Sequence, residues 1–545
     1  MDNPQAFLEH DLASRWQAPG CAAAIVKDGQ LLAKHAWGYA NLETRAPLTT
    51  ETIFPICSIS KQMVCLVLWD LLDGPNGTDI EAKIFDTLRE ILPAETMSNH
   101  DLTISRLVGM QSGLRDYWAL SVLWGAAPQS RFSLYQDAPQ AMKRLGGYHF
   151  SPGSELSYCN SNYVAISLAI EKVTGRTLRD LLQEKVFMPA GMKTAALRPD
   201  TSRIPAPMVG YEGGETAGYI RYANRIEWAG DAGVMASLED MIAYEKYVHR
   251  SAADANSIYY KMSREPTYID GNVAHYGSGL MRGKLAGKDG NPDMEWVGHS
   301  GGLAGFRLRR TFFPKHNLSI VTLFNSEIDT MAVTEYAAKR LILGASIEQT
   351  LPQRKKDPDW DGWISWTGNY FDLDARLAVV VRQDKPHHIQ VNYGGHDEGL
   401  DLTGRGTATS KYMTIDTAPD GPLAIHRPKE NREFAAQLIH TPTNPYHIRA
   451  DYVGEYYSAD IDSTMHITGS GSVLYAAFDG YLGKGPVHTM RYLGAHVWLM
   501  SCFRSLDAPS PGFWTVEFAG DGGEAVTGAT VGCSIARKVE YKKKA

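Results

Sequence analysis

Phe54-Pro-Ile-Cys-Ser58-Ile-Ser-Lys61-Gln-Met63 is the stretch of sequence that decides the fold. A turn-like segment gives way here to an apolar run with helical spacing, which ends at Asp73-Gly74-Pro75. Because residues i and i+3 share one face of a helix, the Ser58 hydroxyl and the Lys61 amine are predicted to lie within reach of each other at a helix start. This spacing indicates a serine nucleophile activated by a lysine.

The S-x-x-K pattern makes physical demands on its surroundings. A lysine that removes the Ser58 proton must itself be neutral, and burial beside Ile56, Met63 and Val64 would lower its pKa. The backbone amide of Ser58 is predicted to be one of two oxyanion donors. Since S-x-x-K arises about once by chance in a chain of this length, the remaining catalytic groups must be found elsewhere.

Tyr158-Cys-Asn160 supplies the candidate proton shuttle. The segment follows a turn at Phe150-Ser-Pro-Gly153 and precedes an apolar run with helical spacing, so it is predicted to lie on a loop. Tyr158 would share a hydrogen-bond network with Ser58 and Lys61, and Asn160 would orient Lys61 or the substrate. Whether Lys61 or Tyr158 is the general base stays open at this point.

His299-Ser-Gly301-Gly302 supplies the candidate substrate edge. Gly301 and Gly302 would let a substrate backbone approach closely, the amide of Gly302 would be the second oxyanion donor, and His299 would position the substrate. The same residues also fit G-x-S-x-G with Ser300 as nucleophile. That motif requires a helix after it, whereas the sequence that follows is typical of a strand.

Composition excludes several classes of partner and cofactor. A formal charge of -7 argues against a nucleic acid or an anionic membrane. The six cysteines are scattered without C-x-x-C, and the first residues have neither a basic nor an apolar leader segment, so free thiols and a cytoplasmic location are predicted. His387, His388 and His396 lack the carboxylate spacing of a hydrolytic zinc site, so neither a metal nor another cofactor is expected.

The order of elements predicts an α+β domain followed by β modules. Asp28-Gly29 between two apolar runs predicts one hairpin, and the runs 306–313 and 318–324 predict another of the same sheet. Helices are predicted between these hairpins, among them one over 163–173 that is closed by Thr174-Gly175 and one that begins with a capping box at Ser237-Leu-Glu-Asp240. After a proline-bearing linker, Trp366-Thr-Gly368-Asn-Tyr-Phe371 recurs as Tyr452-Val-Gly454-Glu-Tyr-Tyr457, which indicates two copies of a small β module.

S-x-x-K, Y-x-N and H-x-G in this order resemble the penicillin-recognising serine hydrolases, and most closely the bacterial D-stereospecific aminopeptidases. The stretches that are similar to that family are 56–62, 111–122, 158–160, 230–233, 478–484 and 507–512. The resemblance implies a β-lactamase-like α+β domain and two small antiparallel β-barrels. The implied divisions are a catalytic domain at 1–345, a linker at 346–360, a barrel at 361–440, a linker at 441–449 and a second barrel at 450–545.

The resemblance also implies the activity. The family releases N-terminal D-amino acids from short peptides, amides and esters through an acyl-enzyme, with Ser58, Lys61, Tyr158 and His299 as the matching catalytic residues. Its third domain sends a loop into the active site, and Phe478–Gly485 matches that loop, with Asp479 and Gly480 as expected substrate contacts. Two positions depart from the pattern: Gly485 stands where an acidic residue is expected, and Met281 where an amide is expected.

Other functions remain open at the level of sequence. The same site would serve a β-lactamase-related esterase, a D-amino-acid amidase or a D,D-peptidase. A penicillin-fold protein that binds ligands without turnover is a further alternative. Small peptides, amides or esters with an N-terminal D-residue are the expected partners, and a homodimer is the expected assembly.

Overall fold

The protein is described by a computed structural model that covers residues 3–286, 294–344, 360–417, 421–440, 449–502, 506, 511–520 and 525–545. The predicted linkers 346–360 and 441–449 lie almost entirely outside the described residues, as does most of 507–512. No helix in the described part of the chain is long and apolar enough to span a membrane.

An eight-stranded antiparallel sheet forms the centre of the first domain. The strands before residue 344 are β1 (Gly20–Lys27), β2 (Gln30–Asn41), β3 (Ala46–Pro47), β4 (Phe54–Pro55), β5 (Ala196–Leu197), β6 (Gly210–Gly214), β7 (Gly218–Tyr222), β8 (Val234–Ala236), β9 (Tyr276–Gly277), β10 (Leu280–Leu285), β11 (Met294–Leu303), β12 (Phe306–Phe313) and β13 (Leu318–Phe324). The main sheet has the order β3-β2-β1-β13-β12-β11-β10-β9. Chain-distant hairpins therefore lie side by side, with β1 against β13.

Both predicted hairpins of this sheet are confirmed. Lys27 pairs with Gln30 across a two-residue turn, and Asp28 and Gly29 have φ of 51° and 73°. Two left-handed residues give the turn a twist that matches the twist of the strands. Phe313 pairs with Leu318 at the end of the second hairpin.

Helices cover the sheet. The longer ones are α1 (Ser60–Asp73), α2 (Gly77–Ile91), α3 (Tyr117–Leu123), α4 (Asn160–Thr174), α5 (Leu238–Ala252) and α6 (Thr330–Ala338). Shorter helical segments span Pro4–Ala6, Phe7–Leu12, Ala13–Arg15, Cys57–Ile59, Ala94–Met97, Ile104–Val108, Asp137–Met142, Leu178–Leu182, Gln183–Phe187, Met188–Ala190, Thr201–Arg203, Ile258–Met262, Pro314–His316, Lys339–Leu343, Pro428–Glu430 and Ala450–Tyr452. The apolar side chains of α1 and α4 share one core with the inner face of the sheet.

Capping residues define the ends of two of these helices. Helix α4 ends at Gly175, which has φ of 64°, and α5 begins with a capping box between Ser237 and Asp240, as the sequence predicts. Helix α1 differs by two residues from its predicted start. It begins at Ser60, after a single 3-10 turn over Cys57–Ile59, and Cys57 at the start of that turn has a positive φ of 53°.

Two antiparallel barrels follow. The first contains β14 (Gly368–Asp372), β15 (Leu377–Lys385), β16 (His388–Tyr393), β17 (His396–Gly404), β18 (Thr407–Thr409), β19 (Thr414–Thr417), β20 (Leu423–Arg427) and β21 (Arg432–Leu438). The second contains β22 (Gly454–Ser458), β23 (Ser463–Ser470), β24 (Val473–Gly480), β25 (Gly483–Lys484), β26 (His488–Gly494), β27 (Val497–Met500), β28 (Trp514–Ala519), β29 (Gly528–Cys533) and β30 (Ala536–Lys543). The first barrel closes through β14 and β21, and the second through β23 and β24. The predicted fold class is therefore confirmed.

Both barrels dock against the first domain through buried polar contacts. Arg115 Nε donates to the Arg537 carbonyl at 2.8 Å, and its Nη2 donates to the Lys538 carbonyl at 2.6 Å. The first barrel meets the same domain where Arg432 pairs with Glu155 at 3.1 Å. These contacts fix the barrels relative to the mouth of the cavity described below.

Candidate active site

Ser58 lies on the 3-10 turn that precedes α1, at the floor of a cavity of about 910 Å³. The turn is held by Ser60, whose hydroxyl donates to the Cys57 carbonyl at 2.6 Å and accepts from the Val234 amide at 3.0 Å. The left-handed backbone at Cys57 reverses the chain immediately before Ser58. Ser58 is thereby half-buried, with its hydroxyl accessible from the cavity.

Lys61 lies about one helical turn after Ser58 and is fully buried. Its Nζ donates to three oxygens: Ser58 Oγ at 3.0 Å, Asn160 Oδ1 at 2.8 Å and the Asp231 carbonyl at 2.6 Å. Burial lowers the pKa of Lys61 to about 8, against the opposing attraction of Asp231 and Asp116. An appreciable fraction of the amine is therefore neutral near physiological pH.

Two buried carboxyl groups lie close to Lys61. Burial raises the pKa of Asp116 to about 6, and Asp116 caps α3 and accepts from the Asn160 amide. Asp231 is 1% exposed and lines the cavity, and burial raises its pKa as well. Its Oδ2 accepts from the Tyr117 hydroxyl at 3.0 Å, whereas its buried Oδ1 has no hydrogen-bond partner among the described residues.

Tyr158 faces Ser58 from the other side. Its ring centroid lies 5.0 Å from Lys61 Nζ. Burial raises the pKa of Tyr158 far above its usual value, although contact with Ser58 opposes this shift. Since its hydroxyl has no hydrogen-bond partner within the described part of the chain, the phenol is neutral and free to turn toward a substrate.

His299 is buried on β11 and is held on both sides. Its Nδ1 donates to the Ser300 carbonyl at 2.5 Å, so its Nε2 accepts from the Tyr276 hydroxyl at 2.9 Å. Burial, followed by repulsion from Lys61, lowers the pKa of His299 to about 3. His299 is therefore a neutral, oriented imidazole rather than a cation.

The glycines of β11 bring this strand against the nucleophile turn. A Cβ at Gly301 would lie 2.4 Å from the Ile56 carbonyl oxygen, so only glycine fits there. Gly302 is exposed to the cavity and has more space, since a Cβ there would meet only Arg307 Nη1 at 3.7 Å. The pairing of β11 with β10 ends at Gly298, so within the described chain residues 299–303 pair only with β12. Their other edge is open to an extended substrate.

The cavity walls come from three parts of the chain. Ser58, Tyr158 and His299 line the cavity beside the side chains of Trp118, Trp228 and Trp296, which supply aromatic walls. Tyr412 and Lys429 of the first barrel also line it. A volume of this size is typical of sites that enclose a small ligand.

The predicted contacts Asp479 and Gly480 do not line this cavity. Asp479 Oδ2 lies 3.1 Å from His466 Nε2, and a Cβ at Gly480 would lie 2.8 Å from Trp124 Cα. The hairpin 478–485 packs on the C-terminal end of α3, where the Leu482 amide donates to the Trp124 carbonyl at 3.1 Å. Close packing on α3, rather than entry into the cavity, distinguishes this hairpin from the expected loop.

Ser300 occupies the interior of β11, and β12 follows it after a short turn. A nucleophile elbow requires a helix at that point, so the structure removes this alternative. Met281, which departs from the family pattern, lines the cavity with its sulfur 4.0 Å from Ser300 Oγ. The described residues contain no cluster of three or more His, Cys, Asp or Glu side chains that would hold a metal ion.

Sequence reasoning missed Asp116, Asp231 and Tyr276. None of the three has a characteristic spacing from another functional residue, because each reaches the site through a different element. Asp116 and Asp231 do lie in stretches that resemble the D-stereospecific aminopeptidases, and that was the available signal. Tyr276 had no signal apart from its position shortly before β11.

Comparisons with known proteins agree with this architecture. The model of the family "Beta-lactamase" matches residues 8–344, and that of "D-aminopeptidase, domain B" matches residues 361–542. A D-aminopeptidase of Brucella melitensis is 36% identical over 540 residues, which are 99% of this chain and 98% of that protein. The D-aminopeptidase of Brucella anthropi is 36% identical over 542 residues, with the same coverage. The crystal structure of SurE has a TM-score of 0.50 at 20% identity and covers 79% of this chain and 97% of its own.

Proposed function

This chain belongs to the bacterial D-aminopeptidase family, and from that premise we propose that it is a serine hydrolase that releases N-terminal D-amino acids from short peptides, amides and esters. The observation that supports this most directly is Ser58 within hydrogen-bond distance of a buried Lys61, beside an open strand edge. Preference for the D configuration rests on family membership alone.

The reaction starts with attack on the carbonyl of the N-terminal residue. Ser58 Oγ forms the new bond while its proton passes to Lys61 Nζ, and the amides of Ser58 and Gly302 stabilise the oxyanion. The lowered pKa of Lys61 and the raised pKa of Tyr158 favour Lys61 as the general base. Asn160 holds the amine in place through its Oδ1.

Collapse of the tetrahedral intermediate breaks the bond to the leaving amine or alcohol. The proton passes from Lys61 through the Tyr158 hydroxyl to the leaving amine or alcohol. An acyl ester remains on Ser58. Water then attacks the ester carbonyl and gives a proton to Lys61. The bond from the acyl carbon to Ser58 Oγ breaks, Lys61 returns the proton to Ser58 Oγ, and the free amino acid leaves. His299, kept neutral, fixes the strand edge against which the acyl group lies.

We also propose that Asp231 binds the substrate's α-ammonium group. Its Oδ1 is the buried carboxylate oxygen in the cavity lining for which the described residues provide no partner. A buried acceptor without a donor is costly unless a ligand supplies one, and an ammonium group supplies up to three. Asp231 thus takes the role that the sequence suggested for Asp479.

Mass spectrometry of trapped acyl-enzyme tests the whole proposal. Incubation with D- and L-alanine esters and p-nitroanilides is expected to add one alanyl group to Ser58 from the D compounds, and none in Ser58→Ala. Acylation of Ser300, or faster acylation by the L compounds, would contradict the proposal. Rapid turnover of nitrocefin without cleavage of D-alanine amide would instead favour a β-lactamase-like activity.

Two further properties are proposed with it. All six cysteines are free thiols in the structure, which supports a reducing compartment such as the cytoplasm. The homodimer stays a prediction, and sedimentation equilibrium of the purified chain would test it.

A further inference from the structure

Three cations in the cavity lining form no ion pair with a described residue. One is Arg282, whose Nη2 donates to the Arg264 carbonyl at 2.7 Å, and the other two are Arg309 and Lys429. Arg309 lies on β12 directly across from Ser300 of β11, and Lys429 lies on the first barrel, between β20 and β21. Arg309 is 5% exposed, its guanidinium stacks 4.7 Å from the Trp296 ring, and its Nε donates to Thr311 Oγ1 at 3.0 Å. Its buried Nη2 has no partner among the described residues.

The ammonium group of Lys429 also lacks a carboxylate partner among the described residues. Its ammonium lies 4.1 Å from the centroid of the Tyr412 ring, and in the described part of the chain it forms no ion pair. Burial, followed by repulsion from Lys411, lowers the pKa of Lys429 to about 8. The attraction of Glu398 opposes this shift, and repulsion from Arg309 adds to it. Burial also lowers the pKa of Arg309, to about 10. These two like charges repel each other, and a bound anion would offset that repulsion.

The other two arginines of β12, Arg307 and Arg310, form ion pairs. Arg307 pairs with Glu327, and the fully buried Arg310 binds Glu245 through two bonds of 2.7 and 2.5 Å. Asp329 also lines the cavity, but its Oδ1 caps α6 by accepting from the backbone amides of residues 331 and 332. Of the three guanidinium groups on β12, two are therefore neutralised by glutamates, and that of Arg309 is available to a ligand.

We propose that Arg309 and Lys429 bind the C-terminal carboxylate of a short peptide, so that unblocked di- and tripeptides are the preferred substrates. This inference rests on the proposed function. One cavity then receives both ends of a zwitterion, the ammonium at Asp231 and the carboxylate at Arg309 and Lys429, with the reacting carbonyl at Ser58. A guanidinium group is suited to this task because its N–H groups match the geometry of a carboxylate.

Hydrolysis of matched peptides tests the inference. The substrates are D-Ala-Gly and D-Ala-Gly-Gly, each as the free acid and as the C-terminal amide, with D-alanine p-nitroanilide as a substrate without a carboxylate. In the wild-type enzyme kcat/KM for at least one free acid is expected to exceed that for its amide by about 10- to 100-fold. Arg309→Met and Lys429→Met are expected to reduce this ratio toward unity, mainly through KM.

Two controls keep the result interpretable. Lys429 is half exposed, so its replacement does not endanger folding if Arg309→Met proves unstable. Lys315→Met removes an exposed cation from the helical turn between β12 and β13, one that pairs with Glu295, and is expected to leave the acid-to-amide ratio unchanged. Circular dichroism of each variant checks the fold.

Several outcomes would overturn the inference. Equal kcat/KM for acids and amides in the wild-type enzyme, or a preference that survives in Lys429→Met and in folded Arg309→Met, would exclude a carboxylate site at these cations. A preference for the amide of D-Ala-Glu over D-Ala-Gly-Gly acid would assign the site to a side chain instead. If p-nitroanilide is cleaved but the acid preference is absent, only this inference fails; if no D substrate is cleaved, the proposed function fails with it.

Discussion

Lys61 owes its proposed role as a base to the kind of oxygen that surrounds it. Its three acceptors are a hydroxyl, an amide and a backbone carbonyl, and none of them is a carboxylate. An ion pair would hold the ammonium form and raise the pKa, whereas burial among neutral acceptors lowers it. The nearby carboxyl groups of Asp231 and Asp116 raise this pKa, but burial outweighs them. The sequence predicts the proximity of Ser58 and Lys61, but it does not reveal these surroundings.

The pH dependence of kcat/KM follows from that environment. For D-alanine p-nitroanilide, kcat/KM is expected to rise with pH toward an inflection near 8, because Lys61 must lose its proton before it accepts one from Ser58. At higher pH kcat/KM is expected to fall, because the substrate's α-ammonium group, which Asp231 is proposed to bind, also loses its proton. Lys61→Arg keeps a cation that stays protonated and is expected to lose about 10²- to 10⁴-fold in kcat/KM. A flat profile between about pH 6 and 10, or an active Lys61→Arg enzyme, would remove Lys61 from this role.

Asp231 and Asp479 can be distinguished by testing which of them binds the substrate's ammonium group. Asp231→Asn keeps the shape of the side chain but removes its charge, so kcat/KM for D-alanine amide is expected to fall about 10- to 100-fold. An N-acetyl-D-alanine ester, which has no ammonium group, should show no such loss. If Asp479→Asn produces the loss and Asp231→Asn does not, the hairpin 478–485 reaches the substrate and the assignment to Asp231 is wrong.

At the scale of elements, turn and cap motifs predict the structure correctly where residues close in sequence determine the backbone conformation. Asp28-Gly29 forms the predicted turn, and Ser237 and Asp240 cap α5 as expected. The start of α1 differs from its prediction because residues 57–59 form a 3-10 turn, and this turn contacts β11 and β8, which lie far away in the sequence. Helical spacing alone contains no information about such contacts.

The close approach of β11 to the nucleophile turn can be tested with a matched pair of glycines. Gly301→Ala places a Cβ 2.4 Å from the Ile56 carbonyl oxygen, a backbone atom that cannot yield without moving the turn. The thermal midpoint is therefore expected to fall by several degrees, consistent with a loss of about 2 kcal/mol or more.

Gly302→Ala is the matched control for that change. Its Cβ would meet only the end of a flexible arginine side chain at 3.7 Å, so the thermal midpoint should stay within about 2 °C of the wild type. Differential scanning calorimetry of both variants gives the comparison. Equal melting of the two would mean that the strand and the turn are not in the contact described.

At the scale of the whole molecule, the sequence predicts the parts better than their arrangement. The resemblance implied two barrels, and the similar segments at Gly368 and Gly454 begin the first strand of each. It suggested that the second barrel supplies the active-site loop, whereas Tyr412 and Lys429 of the first barrel line the cavity. Which barrel faces the cavity depends on docking contacts between distant residues, and no local pattern encodes them.

Arg115 makes the docking of the second barrel testable. The side chain is 3% exposed, and its three nitrogens donate to the carbonyls of Gly146, Arg537 and Lys538. Arg115→Met would leave buried acceptors without donors, at a cost of about 1 to 3 kcal/mol each. We expect the calorimetric unfolding of the intact chain to split, with the second barrel melting before the catalytic domain.

Arg144 provides the control at the same interface. It pairs with Asp462 at 3.2 Å, but it is more exposed than Arg115, so solvent screens the pair and its loss should cost less than about 1 kcal/mol. Arg144→Met is therefore expected to melt in a single transition close to that of the wild type. If Arg115→Met also melts in one unshifted transition, the buried contacts of its guanidinium do not hold the barrel. If both variants split, exposed pairs would contribute as much to docking as buried ones, and burial would no longer explain how the second barrel is held.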